Sequence, residues 1–262
     1  MRQLFVIALL LCAGFASAAD KVDYRAAVSD PSRTAKDRER DLRDHPADVL
    51  AIAGIKPGMT VADIFGGGGY YSELVAHVVG KDGKVLLINN PPYDAFAKDT
   101  LGPRLADGRL PNVLHTTVDP ADLGLKSGSV DVAMIVMSYH DLFYADPTDG
   151  WPAIDAGHFL DQIRIALKPG GSLLIVDHAA VAGSGITVTK SLHRIDEEFA
   201  RRDIAAHGFR FEKSWDGLRS SGDDRSLLVF DPKIRGKTDR FVHLYRKVGS
   251  DAPAAPGNTP HR

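Results

Sequence analysis

Nearly continuous apolar runs alternate with segments of helical period through the middle of this chain. "TVADIF" (60–65), "KVLLIN" (84–89), "NVLHTTV" (112–118), "VDVAMIVMS" (130–138) and "GSLLIVDH" (171–178) read as strands. Between them, "YYSELVAHVV" and "HFLDQIRIAL" read as helices, and "YDAFAKDTLGPRLA" as a helix broken at Gly102-Pro103. Strands this apolar have no solvent face, which predicts a parallel α/β sheet with helices on both sides. Upstream, a helical stretch is expected from about Arg33 until Gly54 and Pro57-Gly58 turn the chain into the first strand. The rhythm changes after Ile186. "LHRIDEEFARRDIAAHG" predicts one amphipathic helix with Leu192, Ile195 and Phe199 on its apolar side. "FRFEKSW", "SLLVF" and "RFVHLYRKV" then predict antiparallel strands, and the Pro- and Ala-rich tail after Val248 predicts disorder. No repeat of fixed period is present.

The first eighteen residues stand outside this pattern. Arg2 precedes an apolar run, Leu4 to Phe15, too short to span a bilayer, and Ala16-Ser17-Ala18 matches a small-x-small cleavage site. A leader cut before Ala19 is expected, followed by a folded domain over 19–248, in a periplasmic or secreted setting. Cleavage removes the only cysteine, Cys12, so disulfides, thiol nucleophiles and thiolate ligands are excluded from the remainder. No membrane span is expected after cleavage. The 262 residues carry 25% charged side chains and a formal net charge of −2, without the clustered basic excess that nucleic-acid binding requires. A small-molecule partner fits that balance.

Four consecutive glycines, Gly66 to Gly69, lie between the first strand and its helix, with Asp63 just ahead of them. Such a turn lets a ligand approach backbone amides at a helix start, although tight packing alone can demand the same residues. "VADIFGGGGYYS", "VDVAMIVMSYHD" and "ALKPGGSLLIVD" together resemble the successive motifs of class I S-adenosylmethionine-dependent methyltransferases. They are most similar to a bacterial group of predicted methyltransferases with a leader, which carries comparable "YHD", "VDH", "LHRID" and "IRGKTDRF" segments, over about Arg33 to Lys247. The resemblance implies a Rossmann-like, seven-stranded, mostly parallel sheet with an antiparallel last strand, and S-adenosylmethionine as cofactor. By the same resemblance Asp63, Gly67 and Gly69 meet the amino-acid part of the cofactor, Asn89 stands where the family has an acid on the ribose, and Asp119 meets the adenine amine. Asp119 is equally a turn former before Pro120. Two positions depart from the family: Phe65 replaces the first loop glycine and Asn89 replaces the acid.

Ligands of such sheets bind beyond the carboxyl ends of the strands. Tyr139, His140 and Asp141 follow strand four, Asp177 and His178 end strand five, and His193 and Asp196 are expected one helical turn apart. Three readings stand. His140 or Asp141 acts as a catalytic base on the acceptor; or Asp141, Asp177 and His178, with or without His193, hold a divalent metal; or the groups brace loops. No close ligand spacing such as H-E-x-x-H appears, which keeps the metal secondary. Tyr70 and Tyr71 either flank the cofactor or pack on the sheet, and Arg225, Arg235, Lys237 and Arg240 either bind an acidic substrate or face solvent. The expected function is methyl transfer to a small molecule. The rivals are an exported binding protein that kept the fold, which Phe65 and Asn89 favour, and a nicotinamide oxidoreductase, against which the "LKPGG" turn and antiparallel finish argue.

Overall fold

The computed structural model describes residues 22–249, so the leader and tail expectations lie outside the described residues. Seven strands form one sheet: β1 (Thr60–Ile64), β2 (Lys84–Asn89), β3 (Val113–Thr117), β4 (Val130–Val136), β5 (Leu167–His178), β6 (Phe209–Trp215) and β7 (Arg240–Lys247). Their order is β3-β2-β1-β4-β5-β7-β6. β1 to β5 pair in parallel, and β7 runs antiparallel to both β5 and β6.

Eight helices surround it: α1 (Tyr24–Val28), α2 (Ala35–Asp44), α3 (Pro46–Ala53), α4 (Tyr70–Val79), α5 (Pro91–Leu105), α6 (Ala156–Ala166), α7 (Thr189–Leu192) and α8 (Glu197–Ala206). Alternate strand residues separate into two cores. Val61, Leu87, Met134 and Leu174 pack with Leu50, Leu74 and Leu101 of α3, α4 and α5. Ala62, Ile135, Ile175 and Tyr245 pack with Phe159 and Ile204 of α6 and α8. Burial on both faces is why the strands read as unbroken apolar runs. Among the described residues no helix is long and apolar enough to cross a membrane.

Three expectations change. α5 is continuous through Pro103, because the carbonyl that proline leaves without a partner belongs to the exposed last turns of the helix. "SLLVF" is not a strand: Leu228 and Phe230 are exposed and the segment turns, Asp231 N–H donating to Leu228 O (2.8 Å). The helix expected from Leu192 is interrupted. His193 adopts a left-handed backbone (φ 51°), and α8 begins only after Asp196, whose carboxylate caps it by accepting from Glu198 N (2.9 Å). His193 and Asp196 therefore do not share a helix face.

Candidate active site

The strand order reverses between β1 and β4, and the loops leaving these strands meet at that switch point. Asp63, two residues after the inward-facing Val61, points toward α4, where Ser72 donates to its Oδ2 (2.6 Å). Its Oδ1 is buried without a partner. Burial pushes the carboxyl up to about 6, the Ser72 hydrogen bonds and the Arg40 charge opposing it in part.

Most of the glycine run is explained by packing. A Cβ on Gly66 would stand 2.6 Å from Asp63 and Leu87, one on Gly68 would strike Thr100, and one on Gly69 would lie 3.1 Å from Arg104. α5 thus lies across the loop. Gly67 differs, with φ 56° and its nearest neighbour, a Tyr93 ring carbon, 3.9 Å from a built Cβ. Of the two loop glycines expected at the ligand, Gly67 keeps open space while Gly69 is held by α5 and by the start of α4.

Asn89 is not turned outward. Its Oδ1 accepts from Gly67 N (2.9 Å), while Nδ2 donates to Gly67 O (3.1 Å) and to Asp94 Oδ1 (2.8 Å). It braces the loop as a strand partner would, and both ends of the amide are engaged. The carboxylate that Asn89 bonds is Asp94, in the first turn of α5, which also bonds His115 Nε2 (2.9 Å) and Thr117. Sequence spacing did not single out Asp94, although it lies five residues beyond Asn89 in a helix capped by Asn90. Asp119 is exposed, and its carboxylate accepts from Ala121 N (2.9 Å), as a turn former does.

Phe65 retains the backbone of the glycine it replaces (φ 55°) and adds a ring. That ring stacks on Tyr93 (centroids 4.7 Å, interplanar 12°) and tilts against Phe159. Tyr93 reaches on to β4's loop, its hydroxyl donating to Asp141 Oδ2 (2.5 Å). A single aromatic residue thus bridges the glycine loop and "SYHD". Tyr70 and Tyr71 are buried, Tyr70 donating to Asp41 Oδ1 (2.5 Å), so both pack rather than flank an open site.

At the β4 and β5 ends the titratable groups converge. Asp177 is fully buried and accepts from His140 N (2.7 Å), His140 Nδ1 (2.8 Å) and His178 N (2.7 Å). His140 Nε2 lies 3.3 Å from Asp141 Oδ1 and 3.3 Å from His193 Nδ1. Burial alone would lower the His140 pKa, but the charges of Asp177 and Asp141 outweigh it and raise it to about 9. Both carboxylates thus favour the protonated imidazole, a proton that a general base would first have to give up. His178 turns away to Thr238 Oγ1 (2.8 Å), and burial, with the nearby His140 charge, lowers its pKa well below the usual value. Asp196 binds the amides of Gly183 (2.7 Å) and Gly185 (3.3 Å), outside the cluster. Arg240 is buried rather than solvated, bonded to Asp44 Oδ1 (2.9 Å) and Arg43 O (3.0 Å).

Solved structures share this fold. A SAM-dependent methyltransferase from Aquifex aeolicus superposes with TM-score 0.56 at 20% identity, covering 87% of this chain and 100% of its own. The [4+2]-cyclase SpnF does so with TM-score 0.56 at 20% identity over 81% of each chain. The chain therefore has the class I methyltransferase fold. Two curated relatives, both ubiquinone/menaquinone biosynthesis C-methyltransferases UbiE, agree with that assignment. The one from Hydrogenovibrio crunogenus is 27% identical over 134 residues, 51% of this chain and 47% of the relative. The one from Ectopseudomonas mendocina is 28% identical over 130 residues, 49% of this chain and 45% of the relative. The chain thus spans about half the length of the curated relatives it matches. No protein-family model matches it. The class I methyltransferase fold also carries a protein named for cyclisation, so the reaction has to be argued from the site.

Proposed function

We propose that this protein binds S-adenosylmethionine at the β1 glycine loop and transfers its methyl group to a small molecule held at the carboxyl edge of the sheet. The observation that carries the reading is the Asp63 carboxylate, buried beside the loop with Oδ1 unpartnered. An orphaned buried acceptor there suits the ammonium of the cofactor's amino-acid part, and the open face over Gly67 suits close approach to backbone. The cofactor supplies a methyl group already activated on a sulfonium, so the protein's share is binding and orientation. Asp63 and Gly67 would hold the amino-acid end. Asp94, rather than the inward-turned Asn89, is the carboxylate available for the ribose hydroxyls. His140 and Asp141 would face the acceptor, steadied by Asp177 and by Tyr93 respectively. The curated relatives, named as C-methyltransferases, support the reaction class. The leader motif in residues 1–18 supports a setting outside the cytoplasm for this reaction.

Calorimetry with S-adenosylmethionine, S-adenosylhomocysteine and NAD tests the reading, and Asp63→Asn sharpens it. The native carboxyl titrates near 6 against 3.8 unfolded, so its acid form is favoured in the folded state. That contribution is full below 3.8 and lost as pH rises through 6, leaving the ionised form costing on the order of 2–3 kcal/mol above that. Asp63→Asn should therefore raise the melting temperature at pH 8 and lose that gain at pH 4. The same variant should weaken S-adenosylmethionine binding at pH 8. Tight binding of NAD by the wild-type protein, or undiminished S-adenosylmethionine binding by Asp63→Asn, sinks the assignment.

A further inference from the structure

We propose that His140, Asp141 and His193 form a binding site for one divalent transition-metal ion of the zinc class. The three ligand atoms, His140 Nε2, Asp141 Oδ1 and His193 Nδ1, all lie within 4.8 Å of one another. Their separations are 3.3, 3.3 and 3.7 Å. Ligands at zinc bond lengths of about 2.0–2.1 Å, arranged tetrahedrally, stand roughly 3.3 Å apart. The cluster is already close to that spacing. This ligand set differs from the one the sequence suggested: His140 enters it, His193, optional there, is a full member, His178 leaves it, and Asp177 stands behind it.

The surroundings orient each ligand toward a common point. Asp177 Oδ1 accepts from His140 Nδ1 (2.8 Å), which keeps a proton on Nδ1 and turns Nε2 into the cluster, where a bound ion would take the place of its proton. A carboxylate behind a histidine is the arrangement that holds metal-bound imidazoles elsewhere. Tyr93 donates to the other oxygen of Asp141, Oδ2 (2.5 Å), leaving Oδ1 for an ion. His193 breaks the chain between α7 and α8 with a left-handed backbone, and Tyr144 stacks on its ring (5.1 Å, interplanar 30°). A histidine in that conformation, clamped by an aromatic ring, is held for its direction. The His193 side chain is 23% exposed while those of His140 and Asp141 are 3% and 10%, which gives an ion one route in.

Two imidazoles and one carboxylate favour zinc, cobalt, nickel or ferrous iron over magnesium or calcium. Three protein ligands leave at least one coordination position open at the carboxyl edge. The site stands on its own geometry and does not depend on methyl transfer. Because metal uptake and S-adenosylmethionine binding are measured separately, either can fail without the other.

The test is uptake of Zn2+, and of Co2+ as a spectroscopic probe, by purified protein stripped with chelator, with Mg2+ as comparator. We expect one Zn2+ per chain and a visible Co2+ absorption typical of low coordination number. His193→Ala and Asp141→Asn should each weaken Zn2+ binding by at least about 100-fold, and Asp177→Asn by roughly 10–100-fold, as loss of an orienting partner does. His178→Ala should bind as the wild type does. Circular dichroism confirms that each variant is folded, and Asp141→Asn, which keeps its shape, decides the matter if His193→Ala does not fold. Failure of the folded wild-type protein to take up Zn2+ overturns the site. So does Zn2+ uptake that is unchanged in Asp141→Asn, which would mark adventitious surface binding.

Discussion

Asn89→Asp is expected to destabilise the protein by roughly 2–4 kcal/mol rather than to restore a missing cofactor contact, because it leaves one buried acceptor facing others. The reasoning runs through the two ends of the amide. Oδ1 accepts from Gly67 N, and an aspartate keeps that bond. Nδ2 donates to Gly67 O (3.1 Å) and to Asp94 Oδ1 (2.8 Å), and an aspartate loses both donations. A carboxylate would then face a carbonyl oxygen and a second carboxylate at a position with no solvent exposure. Protonation relieves the conflict, so the deficit should shrink from pH 8 to pH 5. Asn89→Ala, which removes both ends without adding charge, should cost less at pH 8. Urea denaturation of both variants measures this. An Asn89→Asp protein as stable as wild type at pH 8, binding S-adenosylmethionine more tightly, would show that the side chain swings out to the ligand after all.

Asn89 also shows where reading by sequence pattern stops. Strand β2 was legible to the residue because "KVLLIN" is bounded by polar turns and buried on both faces. Its last side chain was assigned by the resemblance to a ligand, since the family has an acid there; nothing local announced that the amide would turn back onto Gly67. "SLLVF" failed for the opposite reason. It has strand composition, but both sides of β7, the strand that follows it in the chain, are taken by β5 and β6. "LHRIDEEF" kept a helical apolar period across a real break, because Leu192, Ile195 and Phe199 are placed by contacts that do not need a continuous helix. The break is what brings His193 to His140, fifty-three residues away in the chain. The seven strands follow from local apolar runs, and the antiparallel last strand from the resemblance; their order comes from the structure. Tyr93, Asp94 and His193 acquire their roles only from tertiary proximity.

Arg104→Ala is expected to be the most destabilising of the surface-accessible changes near the site, by about 3–5 kcal/mol, the range for breaking a largely buried ion pair from one side. Arg104 leaves the last turn of α5 and reaches three elements at once. Nε donates to Gly68 O (2.6 Å), Nη1 and Nη2 each meet Asp37 at 3.0 Å, and Nη1 pairs with Glu73. The Arg104 side chain is only 9% exposed and Glu73 is fully buried. Removing the guanidinium leaves Glu73 with Arg109 alone (2.5 Å) and strips Gly68 O of its donor. The loop, α2 and α4 lose their common tie together. Arg104→Lys separates charge from geometry: one ammonium cannot fork to two carboxylates and a carbonyl, so it should recover only part of the loss. Guanidinium chloride is itself a salt and screens charge pairs, so the measurement belongs in urea, with salt varied as the control. A loss below about 1 kcal/mol for Arg104→Ala in urea would mean the pairing behaves like an exposed ion pair. The packing of α5 over Gly66 to Gly69 would then rest on Tyr93, Thr100 and Leu101.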